Sequence, residues 1–293
     1  MKLGLGSVQF GLDYGLSNHQ GKTPLEEVIS ILEVARQRGI RVIDTAALYG
    51  NSEEVLGRCL PKDHDFDIVT KTPRFSKGQI TRADADQLER TFRRSLVTMS
   101  IESAYGLMIH HVDDLLLDGG HLLMERILSL KQQGLVKKIG VSVYTAVQID
   151  RLLDRYAIDL IQIPINVFDQ RLLRSGHLDK LKKAGIEIHS RSVFLQGLLL
   201  MEPSEVPSYF ESIRQHLIRY QEKMRQEGLT LVQAAIGFVA GMDLIDVVIC
   251  GVNNHNQLQD ICSSFRPVPI DNYAEFALSD ESIINPSLWK SGS

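Results

Sequence analysis

The chain has 293 residues, 44% of them hydrophobic and 23% charged, which is enough apolar material for one large core and lacks the bias that marks disorder. A net charge of −4 offers no general attraction for nucleic acid or anionic lipid, both of which need clustered Lys and Arg. No run of about 18 apolar residues is present to span a bilayer, and Met1-Lys2-Leu3-Gly4-Leu5-Gly6 lacks the apolar stretch of a signal peptide. Cys59, Cys250 and Cys262 are odd in number and without metal-ligand spacing, so a cytoplasmic protein with reduced thiols and no metal is expected.

In chain order, short apolar runs alternate with helical patterns. The first run, Leu3 to Val8, precedes Thr23-Pro24-Leu25-Glu26, which reads as a capping box with proline at the first helical position. Val28, Ile31, Leu32 and Ala35 then recur at helical spacing, and Gly39 ends the helix. Further runs lie at Ile40 to Asp44, Phe66 to Thr70, Ala104 to Ile109 and Val136 to Val141. Thr81 with Asp84 and Thr145 with Gln148 mark helix starts, and Leu88, Phe92, Leu96 and Met99 form an apolar stripe. Ile158 to Ile163, Ile186 to His189 and Asp246 to Ile249 bring the runs to eight, with Thr230 and Gln233 opening another helix between the last two. Their β-branched content suits strands buried on both faces, as in parallel sheets, so the chain is either a closed (β/α)8 barrel or a doubly wound sheet.

The strand ends favour the barrel, whose site is built at the C-terminal mouth. Asp44 ends the second run, Lys71 follows the third and His110 the fourth; Ser142 follows the fifth, Gln162 and Asn166 lie at or beyond the sixth, and Arg191 follows the seventh. A single strand-end polar residue merely meets solvent, whereas seven in register imply one mouth. Gly4-Leu5-Gly6-Ser7-Val8-Gln9-Phe10-Gly11 superficially suggests a dinucleotide fingerprint, but its spacing is wrong and no helix is expected directly after it.

The segment Asp44-Thr45-Ala46-Ala47-Leu48-Tyr49-Gly50-Asn51-Ser52-Glu53-Glu54-Val55-Leu56-Gly57 closely resembles the signature of the aldo-keto reductase family. Lys71 after a strand, Ile109-His110, Gly140-Val141-Ser142 and Gln162 in an Ile-Gln-Ile strand continue the pattern, and the likeness extends from Gly4 to about Phe265. The resemblance implies the barrel and an NAD or NADP cofactor. It also implies a carbonyl or alcohol substrate, namely an aldehyde, ketone or sugar aldose and its alcohol. Residues 1–265 would form the barrel and 266–293 a tail packed on or over it.

The resemblance assigns catalysis to Tyr49, Lys71, Asp44 and His110. Hydride addition to a carbonyl develops alkoxide character that a positioned acid relieves, and a nearby ammonium draws a tyrosine pKa down towards working pH. Lys71 would supply that charge, Asp44 would hold Lys71 protonated, and His110 would orient the carbonyl or relay the proton. Adjacent strand residues point to opposite faces, so only one of His110 and His111 is expected at the site.

The first strand, with Gly6 and Ser7 at its end, would approach the nicotinamide. Ser142 and Gln162 match carboxamide anchors, but Val143 stands where relatives carry Asn. Arg191 stands where an aromatic face usually meets the nicotinamide, offering either a stacking plane or a charge for an anionic substrate or cofactor phosphate. Gly251, Asn253, Asn254 and Gln257 surround a helix start near Asn254, where NADP-preferring relatives grip the 2′-phosphate with basic residues. No Lys or Arg lies between Gly251 and Phe265, so the turn itself gives no NADP preference and comparable affinity for NADH and NADPH is expected, unless an Arg from elsewhere, such as Arg266, compensates.

Two other readings are a nicotinamide-binding regulatory subunit with little turnover and a Lys71 Schiff-base aldolase on the same barrel. The C-terminal segment carries three of nine prolines and the sole tryptophan, Trp289, and Ser291-Gly292-Ser293 reads as a disordered end.

Overall fold

A computed structural model of the chain describes residues 1–75, 78–268 and 273–289. Its eight parallel strands are β1 (Lys2–Gly6), β2 (Val42–Asp44), β3 (Asp67–Lys71), β4 (Ala104–Ile109), β5 (Val136–Ser142), β6 (Leu160–Pro164), β7 (Glu187–Arg191) and β8 (Val247–Gly251). They pair in sequence order, and β1 pairs with both β2 and β8, so the sheet closes as a (β/α)8 barrel.

The return helices include Leu25–Gln37, Ser52–Cys59, Arg82–Met99, His121–Gln132, Ala146–Leu153, Leu231–Ala240 and His255–Ser264. Their apolar faces pack on the outward side of the strands around Ile43, Ile68, Leu107, Ile139, Ile161 and Ile188. The inward side is different. Val42, Val69, Met108, Leu160, Val247 and Ile249 fill the middle of the barrel as a separate small cluster, in the layered manner of this fold.

Below that layer, at the N-terminal foot, β4, β5 and β7 bring together a charged group. Glu187 accepts a hydrogen bond from Tyr105 Oη at 2.8 Å, pairs with Lys138, and lies 2.7 Å from His189 Nε2. Burial would raise the Glu187 pKa, but hydrogen bonds from His189, Lys138 and Tyr105 outweigh it and bring the value down to about 2.

The strand ends depart from the apolar runs in an ordered way. Strands β3, β5 and β7 run one or two residues further, because Lys71, Ser142 and Arg191 still pair in the ladder. Strand β1 stops at Gly6, since Val8–Gly11 forms a single helical turn immediately beyond Ser7. That turn contradicts the expectation that no helix follows there, although the barrel itself excludes the dinucleotide-fingerprint fold.

Capping boxes are present at Thr81 with Asp84, Thr145 with Gln148 and Thr230 with Gln233, and Gly39 leaves the first long helix at φ +71°. The expected box at Thr23 is absent. Thr23 donates its backbone N–H to Gln9 O, Pro24 occupies the N-cap, and the Thr23 hydroxyl is buried without a partner among the described residues.

The described part of the tail lies against the barrel. Tyr273 Oη donates to Ala234 O, Trp289 Nε1 donates to Ile283 O, and the Trp289 ring meets Phe210 edge-on. Residues 269–272 and 290–293, including the segment expected to be a disordered end, lie outside the described residues. No helix among the described residues is long and apolar enough to cross a membrane.

Candidate active site

Because the side-chain period of a strand is two, the residues two places above the barrel's apolar middle layer also point inward. Asp44 stands above Val42, Lys71 above Val69, Gln162 above Leu160 and Gly251 above Ile249, and register sets Gly6 beside both Asp44 and Gly251, and Ser142 beside Gln162. They meet at the C-terminal mouth, around a cleft of about 520 Å³.

Lys71 sits at the centre of this layer and is 2% exposed, so its ammonium depends on protein partners. It donates to Asp44 Oδ2 at 2.6 Å, to Thr45 O at 2.9 Å and to Tyr49 Oη at 3.3 Å. The other Asp44 oxygen accepts from Gln162 Nε2 at 2.8 Å. Tyr49 arrives from the loop after β2 and meets the His110 ring edge-on, with centroids 5.8 Å apart.

The electrostatics differ from the expectation drawn from charge alone. Burial, followed by the Asp44 charge, raises the Tyr49 pKa well above its ordinary value, so the resting residue is a neutral phenol. Burial also presses the Lys71 pKa down, with Asp44 opposing it. His110 is brought down to about 2, first by burial and then by the Lys71 charge. It is therefore a neutral imidazole at working pH, which removes a cationic proton relay and leaves the orienting role.

His111 does not line the cleft, but its ring stacks on that of His110 at 4.8 Å. Strand alternation does not separate them because both lie beyond the end of β4. Among the described residues no three His, Cys, Asp or Glu side chains converge.

Gly6, Ser7, Ser142, Gln162, Arg191, Gly251, Asn253 and Gln257 all line the cleft with Asp44, Tyr49 and His110. Lys71 and Asn254 do not. Lys71 lies behind Tyr49 and Asp44, while Asn254 caps the helix His255–Ser264 by accepting from Gln257 N at 2.9 Å. Gln257 is drawn into the same cap, accepting from Asn253 N at 2.8 Å. The Ser7 hydroxyl donates to Asp44 O and accepts from Ser52 Oγ, so it ties β1 to the Tyr49 segment. Asn166 stands behind the mouth, donating to Ser192 O at 3.0 Å.

Sequence reasoning missed several cleft residues, among them Tyr14, Tyr144, Gln196, Asp260 and Pro286. Tyr14 lies in a loop without periodicity, and Pro286 reaches the mouth only through the path of the tail. A signal was present only for Tyr144, two residues beyond Ser142.

The Tyr49 loop is seated by backbone contact. A Cβ on Gly11 would fall 1.9 Å from Tyr49 O and 2.4 Å from Ser52 N. Gly11→Ala is therefore expected to destabilise the protein by about 1–3 kcal/mol, the usual penalty of overpacking. It should also lower kcat, since misplacing a reacting group by about 1 Å costs on the order of a hundredfold. Thermal melts and steady-state rates read the two effects separately, and an unchanged kcat would show that Tyr49 is positioned by other contacts.

An eight-stranded α/β barrel with a largely apolar cleft and convergent polar groups at its C-terminal mouth is the architecture of an enzyme acting on small molecules. The sequence pattern of the aldo/keto reductase family matches residues 2–281. The chain belongs to that family of NAD(P)H-dependent oxidoreductases. Among curated proteins, it is 23% identical over 283 residues to the uncharacterized oxidoreductase YqkF of Bacillus subtilis, covering 88% of each chain. It is 30% identical over 205 residues to protein REDOX 2 of Catharanthus roseus, covering 62% of this chain and 61% of that one. Its fold is similar to that of the holo form of aldo-keto reductase AKR11C1 from Bacillus halodurans, with a TM-score of 0.74, 20% identity, and 94% and 92% of the two chains covered.

Proposed function

We propose that this chain interconverts an aldehyde, ketone or sugar aldose and its alcohol with NAD or NADP, Tyr49 giving the proton in reduction and taking it back in oxidation. The observation that carries the reading is Lys71 Nζ held between the Asp44 carboxylate and the Tyr49 hydroxyl. A phenol that starts neutral suits a proton donor. As its O–H bond breaks, the ammonium 3.3 Å away stabilises the growing phenolate. His110 orients the carbonyl oxygen as a neutral ring.

The cleft fits a nicotinamide dinucleotide. Gln9 Oε1, His110 Nδ1 and Asn253 Oδ1 are buried on cleft-lining side chains without hydrogen-bond partners among the described residues, and amide or ribose groups satisfy such atoms. Gly6, Ser7, Ser142, Gln162 and Arg191 would border the nicotinamide end, and Gly251, Asn253 and Gln257 the adenosine end, with Asn254 capping the helix behind them. The cofactor supplies or accepts hydride. The aldolase reading is disfavoured because Lys71 donates to three oxygens and does not line the cleft.

The adenosine end bears on cofactor choice. Glu27 Oε1 accepts from His255 N at 2.5 Å and lies 2.7 Å from His255 Nδ1, so a carboxylate already occupies the first turn of that helix. The backbone hydrogen bond from His255 is the main cause holding the Glu27 pKa below the usual range, which keeps it ionised. A 2′-phosphate there would meet a carboxylate already paired with His255 and no Lys or Arg of the turn. NADH is expected to bind at least as tightly as NADPH in calorimetric titration. Glu27→Gln should favour NADPH by about two- to fivefold, the scale of one charge at a helix terminus. A strong NADPH preference in the wild type would overturn this assignment. A panel of aldehydes and ketones assayed with the preferred cofactor tests the activity itself, and binding without turnover of any would favour the regulatory-subunit reading.

A further inference from the structure

Arg191 is the only lysine or arginine among the described residues that line the cleft. It has no carboxylate within ion-pair distance among the described residues, and its guanidinium donates only to neutral oxygens, Val143 O at 3.2 Å and Ser192 Oγ at 3.3 Å. Arg126 and Arg171, also partly buried, each contact two carboxylates. An unpaired cation in a partly desolvated cleft is unfavourable unless an anion arrives to neutralise it.

The group is also held still. Its Cζ lies 4.1 Å from the centre of the Tyr144 ring, and the Tyr144 segment is fixed where Tyr144 N and Thr145 N both donate to Gln148 Oε1. Beyond Arg191, Ser192 adopts φ +60°, as do Leu195 and Gln196 with φ near +50°, a strained turn of the kind that collects at ligand sites. With one face of the guanidinium covered by Tyr144, its fork of N–H groups is the better-placed part for a ligand. That fork matches a carboxylate or another compact oxyanion.

Arg191 ends β7, the strand paired with β6, and Gln162 of β6 donates to Asp44. The charge is near enough to act on both reacting groups: it opposes the burial-driven rise of the Tyr49 pKa and adds a little to the fall of the His110 pKa.

Resting on the oxidoreductase reading above, we propose that Arg191, braced by Tyr144, is an anion subsite for the substrate, so that preferred carbonyl compounds carry a carboxylate near the reacting carbon. The same fork chemistry also suits the cofactor's diphosphate, and the experiment separates the two sources. With the full chain saturated in reduced cofactor, kcat/KM for 2- and 4-formylbenzoate is compared with that for the matching formylbenzamides. The acid with the better reach is expected to be favoured by about tenfold, the scale of one charge-assisted hydrogen bond. Arg191→Gln should bring that ratio close to one, and Arg191→Lys should keep part of it.

Calorimetry of benzoate against benzamide on the cofactor-loaded protein reads the same selectivity without turnover. Benzoate should bind the wild type more tightly and lose that advantage in Arg191→Gln. A ratio unchanged by both substitutions overturns the proposal, as does a ratio unchanged while NADH affinity falls tenfold, which would assign the fork to the cofactor. If no aldehyde is turned over, the oxidoreductase reading fails and the benzoate titration alone decides: selectivity lost in Arg191→Gln supports the anion subsite, and absence of selectivity overturns it.

Discussion

Tyr49→Phe is expected to lower kcat by about 10²- to 10⁴-fold, the range assigned to a general acid, with the cofactor dissociation constant within about threefold of wild type, since one hydroxyl contributes roughly a kcal/mol or less. The substitution removes a single oxygen. Lys71 keeps two of its three partners, Asp44 and Thr45 O, so its charge remains compensated. The edge-on contact between ring 49 and His110 also survives, because it needs no hydroxyl. Stopped-flow turnover with a saturating carbonyl substrate, alongside a cofactor titration, separates the two quantities. Equal turnover by mutant and wild type would remove Tyr49 from the chemistry. Since the pKa of His110 lies near 2, the wild-type kcat/KM profile should also show no limb from this residue near its ordinary value of 6.5. A limb there that disappears in His110→Gln would contradict the neutral imidazole.

Glu187→Gln is expected to be the most damaging single substitution at the other end of the barrel. The carboxylate joins Tyr105, Lys138 and His189 at a half-buried foot of the barrel. Removing its charge leaves Lys138 partly buried without its partner, and because solvent still screens the pair the cost is about 1–3 kcal/mol, below that of a fully buried ion pair. The pH dependence has a definite sign. The folded pKa is near 2 and the ordinary value is 4.5, so the unfolded chain takes up protons first as the solution is acidified. The stabilisation is present in full above about pH 4.5 and is lost as pH falls towards 2, amounting to about 3 kcal/mol by linkage. Urea melts of wild type and mutant between pH 7 and 3 measure this. A constant difference across that range would place the acid sensitivity elsewhere.

Most of the architecture was legible because it rests on local patterns. Eight β-branched runs and three of the four Thr-led helix starts recur in the structure, since burial on both faces and cap chemistry leave marks on neighbouring residues. The exception, Thr23, shows the limit. Its segment is fastened to Gln9 across the fold, a contact that cap spacing does not encode. In the site, Asp44, Lys71, Ser142, Gln162 and Arg191 were legible as polar residues ending apolar runs. Their pairing was not. The Gln162 bond to Asp44 spans 118 residues of sequence, and the stacking of Arg191 on Tyr144 depends on where the end of β7 meets the loop after β5. The direction of the Tyr49 pKa was misjudged for the same reason: an ammonium can be inferred from spacing, but the exclusion of water around a phenol belongs to the assembled mouth.

The six apolar side chains in the middle of the barrel have a consequence of their own. Val42, Val69, Met108, Leu160, Val247 and Ile249 form an apolar septum between the Asp44–Lys71 pair above and the Glu187 group below. These apolar side chains carry no exchangeable protons and only weak dipoles, which leaves His189, midway along β7, as the polar side chain on the inward face of that strand between Glu187 and Arg191. The ends of the barrel are thus free to change independently. Substrate preference can drift at the mouth while acid tolerance is held at the foot, and a double substitution across the septum, Tyr49→Phe with Glu187→Gln, should show stability effects that simply add.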